Sequence, residues 1–182
     1  MINKYSLLLG LALVLSLSET SLGHFRIKAA NGLVPRSNNA GLKSGPCGGA
    51  TRTGTPRVYA PGDTMIIEWE ETVNHPGRYE FYFSEANDSN FTILKTVVDT
   101  QDSAGNLPHR YSTSIVLPTK PCSNCTIQAI QVMTDRSPPS NYYSCVDIRL
   151  ETPSGENPPR IPASSPPQPT TTEPTHTPES CD

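Results

Sequence analysis

The chain is 182 residues long, with 14 lysines and arginines against 17 aspartates and glutamates and a formal charge of −3. So small a charge, with no basic cluster, excludes the electrostatic footprint of a nucleic-acid partner or of an anionic membrane surface. The length suits one ordinary domain with extensions at its ends.

Residues 1–23 read as an export signal. Lys4 precedes the apolar run Leu7 to Leu17, and the small residues Ser21 and Gly23 stand third and first before the cut. His24 is then the first residue of the mature protein. The run is too short to cross a bilayer, and no later apolar stretch reaches the roughly 18 residues a spanning helix needs. A secreted, extracellular monomer with no membrane partner is the expectation. At the other end, residues 152–182 hold nine of the nineteen prolines, six threonines and almost nothing apolar, which is the composition of a disordered linker or tail. That segment shows neither a carbohydrate-binding module nor the hydrophobic tail of a lipid anchor. The folded domain is placed at residues 24–151.

Within it, helical periodicity is absent. Short alternating or apolar runs predict strands at Met65 to Trp69, Arg78 to Phe83, Thr113 to Leu117, Thr126 to Met133 and Ser144 to Leu150. Turn-formers punctuate them: Pro61-Gly62-Asp63, Pro76-Gly77, Ser103-Ala104-Gly105-Asn106 and Pro138-Pro139. This pattern predicts an all-β fold, an immunoglobulin- or fibronectin III-like antiparallel β-sandwich with long loops. The irregular stretch Ala29 to Tyr59 must be pinned to the sandwich, and Cys47 is placed to do so.

Four cysteines lie in the domain, and Cys181 stands apart in the tail. Two bridges fit an exported domain. The preferred pairing is Cys47 with Cys145 and Cys122 with Cys125, the other two connectivities of four cysteines remaining open. Asn87, Asn90 and Asn124 each begin a sequon and are glycosylation acceptors in a eukaryotic host.

The histidines carry the chemistry. An N-terminal histidine offers its α-amine and its imidazole Nδ1 to one metal ion as a chelate. A second histidine adds a third nitrogen in a T-shaped arrangement, which suits Cu(II) better than tetrahedral zinc. His75, in the turn Asn74-His75-Pro76-Gly77 between two predicted strands, is the candidate for that role. His109, after a Gly/Asn/Pro loop, and His176, in the tail, are expected to be solvated. Strand alternation puts Tyr142 on the face of Val146, Ile148 and Leu150, at the end where the histidines would meet.

These features together resemble the lytic polysaccharide monooxygenases of the chitin-binding type-4 kind: a mature chain beginning His-Phe, a turn histidine, a Cys-x-x-Cys-Thr-Ile-Gln strand and a closing Tyr-x-x-Cys-x-Asp strand. The resemblance implies a copper "histidine brace" of His24 and His75 with Tyr142 in the axial position. Gln131 is the implied neighbour of the bound oxygen species. The implied activity is oxidative cleavage of glycosidic bonds at C1 or C4 in an extracellular polysaccharide, chitin or cellulose foremost. An external electron donor and O2 or H2O2 are the co-reactants. Aromatic contacts to the polymer would come from Tyr59, Tyr111, Tyr143 and Phe25, with Trp69 in the core. The same resemblance admits a second role, copper binding and acquisition without catalysis, which calls for a carboxylate near the metal. Asp147 could serve only if the last strand were rotated, because alternation places it opposite Tyr142.

Other chemistries fit poorly. Cys122-Ser123-Asn124-Cys125 opens a β-run, without the helix that lowers a thiol pKa in thioredoxin-like proteins. Glu70 and Glu71, being adjacent on a strand, face opposite ways and cannot flank one glycosidic bond. Neither a Gly-x-Ser-x-Gly elbow nor a His-Glu-x-x-His helix is present.

Overall fold

The computed structural model describes residues 24–101 and 105–153. The export signal, residues 102–104 of the predicted turn before His109, His176, Cys181 and nearly all of the proposed tail lie outside the described residues. Chain contacts divide the molecule into a unit of Met1–Thr152 and a unit of Pro153–Asp182. The first contains every element below.

Eight strands run in chain order: β1 (Phe25–Ile27), β2 (Arg57–Tyr59), β3 (Thr64–Glu71), β4 (Gly77–Ser84), β5 (Thr92–Val98), β6 (His109–Val116), β7 (Cys122–Met133) and β8 (Ser140–Leu150). They form a three-stranded sheet, β1-β3-β6, and a five-stranded sheet, β2-β8-β7-β4-β5. The protein is an all-β sandwich. The five predicted strands all form, and β1, β2 and β5 are additional. β1 and β2 are only three residues long, and β5 follows a partly exposed edge without a clean alternation. The β2–β8 pairing is parallel, so the large sheet is mixed rather than wholly antiparallel.

Alternation decides the core. Met65, Ile67 and Trp69 of β3 point inward, as do Tyr79, Phe81 and Phe83 of β4, and all are buried. Each such side chain contributes about 1.5–3 kcal/mol by leaving water. Tyr142 shares the inner face of β8 with Val146, Ile148 and Leu150, as alternation predicts. β7 is buried on both faces from Cys125 onward. Its inner side meets the core, while residues 36–53 reach its outer side.

That outer contact pins the long irregular segment. Cys47 bridges to Cys145 with Cα atoms 5.2 Å apart, and its backbone N–H donates to Gln128 Oε1 at 2.8 Å. A single 3-10 turn, Cys47–Gly49, is the one helical element among the described residues. The second bridge, Cys122–Cys125, closes the start of β7. Arg36 is buried under the segment and donates to both carboxylate oxygens of Asp88, at 2.7 and 2.8 Å, and to Asp147 Oδ1 at 2.6 Å. Asp147 Oδ2 also accepts from the Thr53 hydroxyl at 3.0 Å. As alternation requires, Asp147 faces away from Tyr142 and serves this network.

The Arg36 guanidinium holds Asp88 below the usual carboxylate range, with burial opposing it. A carboxylate whose pKa is depressed by folding adds stability in full above its unfolded pKa, about 3.9 for aspartate. That stability disappears as pH falls through the lower folded value. Asp88→Asn is therefore expected to be less stable than the parent at neutral pH, with the gap closing in acid. Melting curves recorded across pH test this, and parallel curves for the two proteins would contradict it.

Candidate functional site

His24 directly precedes β1 and is fixed on both sides through its backbone. Its N–H donates to Ala40 O at 2.9 Å, and its carbonyl accepts from the Thr72 N–H at 2.9 Å. His75 lies in the turn between β3 and β4. The Thr134 N–H donates to Pro76 O at 2.9 Å, and a Cβ at Gly77 would collide with the Val132 carbonyl. Only glycine lets this turn lie flush against β7. The local sequence thus presents His75 from a seated turn.

The two imidazoles meet. Their ring centroids are 4.9 Å apart and their planes 14° from parallel. Tyr142, from the entry of β8, stacks on His24 at 4.0 Å, also at 14°. The Tyr142 hydroxyl lies 3.3 Å from His24 Nε2. On His75 the engaged nitrogen is Nδ1, 2.8 Å from Asp135 Oδ2. Hydrogen bonding to His75 holds the Asp135 carboxyl below its usual range. Tyr142 thus engages His24 at Nε2, the atom remote from its own main chain, and Asp135 engages His75 at Nδ1. A chelate by His24 uses the other atom, Nδ1, beside its main-chain nitrogen, and Nε2 is the remaining donor of His75. Lys43 places its ammonium 4.9 Å from the Tyr142 ring centroid. A cation over a π-face is favourable by about 0.5–1 kcal/mol at an exposed position.

Beneath the rings lies a buried polar layer. Gln131 is cross-strand partner to Tyr142 and to Tyr79 and is 1% exposed. Its Nε2 donates to Glu71 Oε1 at 2.8 Å. The same carboxylate oxygen accepts from the His75 backbone N–H at 3.2 Å. Glu71 Oε2 is 3.0 Å from His109 Nδ1, and His109 Nε2 is 2.9 Å from Gly105 O. His109 is therefore not solvated: it is a buried cross-strand partner of Glu71, 4% exposed. Burial raises the Glu71 pKa more than the bonds from His109 and His75 lower it. For His109, burial lowers the pKa, but the Gly105 carbonyl and Glu71 outweigh it and the net shift is upward. Glu70, on the opposite face, pairs with Arg26 and Lys28 instead.

The aromatic contacts also differ from expectation. Phe25 is wholly buried, and Tyr111 stacks on Trp69 at 5.3 Å inside the domain. Tyr59 lies under the Arg57 guanidinium, and Tyr143 is half-buried beside Gly45. No group of three or more His, Cys, Asp or Glu side chains gathers as metal ligands among the described residues. A cleft of about 420 Å³ lined by Phe83, Asn87, Asn90 and Lys120 opens at the opposite end of the sandwich, remote from the histidines.

Residues 24–148 match the family described as "Lytic polysaccharide mono-oxygenase, cellulose-degrading". The chain belongs to this lytic polysaccharide monooxygenase family. Solved structures of low identity resemble it. An AA15 lytic polysaccharide monooxygenase from Thermobia domestica in the Cu(I) state is 19% identical, with 62% of this chain and 78% of that one covered and a TM-score of 0.45. An AA10 lytic polysaccharide monooxygenase from Streptomyces lividans is 20% identical, with 63% and 70% covered and a TM-score of 0.42. A chitin binding domain from Burkholderia pseudomallei is 15% identical, with 53% and 57% covered and a TM-score of 0.42. The chain spans a little over half of that last domain. No curated protein matches it. No helix among the described residues is long and apolar enough to cross a membrane.

Proposed function

We propose that the protein is a secreted, copper-dependent polysaccharide monooxygenase whose metal is held by His24 and His75. The convergence of these two rings, each engaged through the nitrogen a brace does not use, carries this reading. The donor set suits the ion: two imidazole nitrogens and one amine, supplied by two residues, favour a tetragonal Cu(II) site. Gln131 adds a second fit, because its Oε1 is buried with no hydrogen-bond partner, and an unsatisfied buried acceptor costs about 1–3 kcal/mol. A donor brought by the bound metal's surroundings would satisfy it.

Bound copper supplies one-electron redox chemistry toward O2 or H2O2. The protein's residues supply geometry. Asp135 fixes the His75 tautomer with hydrogen on Nδ1. Tyr142 covers one face of the His24 ring and holds its Nε2, and so would keep that ring in place for the metal. Chitin and cellulose are the substrates the family and its neighbours favour. Incubating the copper-loaded, processed protein with a reductant, O2 or H2O2 and these polymers is expected to release oxidised oligosaccharides, detected by mass spectrometry. Their absence on chitin, cellulose, xylan and pectin, with copper bound, would leave the second reading, a copper-acquisition protein. Asp135, held against His75 Nδ1, supports a metal-bound histidine in either reading.

A further inference from the structure

We propose that Trp69, Tyr111 and Asp99 form a one-electron relay, in which an oxidised Trp69 indole is refilled by an electron from Tyr111 while the Tyr111 proton passes to Asp99. The inference lies beyond the monooxygenase reading and needs no metal. Trp69 and Tyr111 are directly opposed on β3 and β6, which sets both rings on one face of the sheet. They stack 5.3 Å apart with planes 7° from parallel. The Tyr111 hydroxyl donates to Asp99 Oδ1 at 2.5 Å. The same oxygen accepts from the Gln101 backbone N–H at 3.0 Å, which fixes the carboxylate in place. Tyr79 is the competing phenol, with its ring 5.1 Å from Trp69 and inclined at 59°. Its hydroxyl stands 3.4 Å from Asp99 Oδ2, and it is wholly buried where Tyr111 is partly exposed.

Proton accounting gives the direction. Trp69 is 1% exposed, and its Nε1 has no hydrogen-bond partner. An oxygen-centred radical that takes one electron from the indole leaves as its anion and makes Trp69 a radical cation. With no base on Nε1, that cation keeps its proton and its charge inside the core, where charge is costly. Tyr111 is placed the other way. Burial and the bond to Asp99 hold its phenol protonated, and a phenol that loses an electron becomes a very strong acid, here beside a carboxylate. One electron moves from Tyr111 to Trp69, and one proton moves from the Tyr111 hydroxyl to Asp99. Indole radical cation, phenol and carboxylate become indole, neutral phenoxyl radical and carboxylic acid, so two opposite charges disappear together. The oxidising equivalent ends on a ring that outside reductants can reach. Phe25, next to His24, packs on Tyr79 at 5.5 Å, and Tyr79 packs on Trp69, so the relay is joined by rings to the histidine end of the sandwich.

Flash photolysis of the metal-free protein tests this. Trp69 is the chain's single tryptophan, so light absorbed by indole and not by phenol ionises it alone, with hexaamminecobalt(III) taking up the ejected electron. The indole radical absorption is expected to decay into the sharp band of a phenoxyl radical, more slowly in D2O than in H2O. Tyr111→Phe keeps a ring on Trp69 and should lose the phenoxyl band and prolong the indole radical. Asp99→Asn keeps an acceptor that cannot take the proton, and should slow the conversion. Tyr82→Phe, whose parent hydroxyl bonds Glu80 instead, should leave it unchanged. A parent protein whose indole radical decays with no phenoxyl band, or a folded Tyr111→Phe that forms the band as fast as the parent, would overturn the relay. Neither result depends on copper, so the monooxygenase reading stands or falls separately.

Discussion

One extra residue ahead of His24 is expected to weaken Cu(II) binding by at least ~100-fold, because disturbing a ligand's supports alone costs about 10–100-fold and the extension removes a ligand outright. An added residue turns the α-amine into an amide, whose nitrogen has no lone pair to give, while both imidazoles and the fold remain. His75→Ala removes a different nitrogen and should weaken binding to a similar degree. Titration calorimetry measures both, and paramagnetic resonance should show fewer coupled nitrogens in each variant. Equal affinity with and without the extension would exclude the amine as a ligand and with it the brace.

Replacing Cys47 and Cys145 together by alanine is expected to cost about 4 kcal/mol. The bridge joins residues 98 apart in sequence, and closing so long a loop removes much of the unfolded chain's freedom. For a domain of this size such a loss lowers the melting temperature by about 10–15 °C. The Cys122–Cys125 bridge closes a loop of only a few residues, so its removal should cost less. Calorimetric melting of the two double variants gives the ranking, and a larger loss at Cys122–Cys125 would reverse the argument. The Arg36 network should survive either change, since Asp147 and Asp88 hold Arg36 independently of the cysteines.

Much of this molecule was legible before its coordinates, for identifiable reasons. Period-two alternation locates β3, β4 and β8 because each has one face on the core and another on a different surface. It also places Tyr142 on the inner face. β1 and β2 escape because three residues give no period to read. The chelating role proposed for His24 rests on covalent chemistry and needs no fold. His109 departs from its expected solvation for the opposite reason. Its environment is made by Glu71, 38 residues away, through the register between β3 and β6, and nothing local to either residue specifies that register. Asp135 is hidden likewise. The Ser/Pro-rich turn after it gives no hint that its carboxylate reaches His75, 60 residues away. The buried state of Phe25 is hidden by its position beside a predicted terminus, where exposure is the ordinary expectation.

His24 stands at the head of an edge strand of the small sheet, while Tyr142 and Gln131 belong to the large one. An ion gripped by His24 and His75 would therefore act as a clasp at the open end of the seam between the layers, where a terminal strand would otherwise fray first. Such a clasp makes folding and metal loading linked equilibria. Each tenfold rise in metal above its dissociation constant adds about 1.4 kcal/mol to the folded state. A precursor still carrying residues ahead of His24 would lack that increment, so cleavage would create the ligand and tighten the fold in a single event.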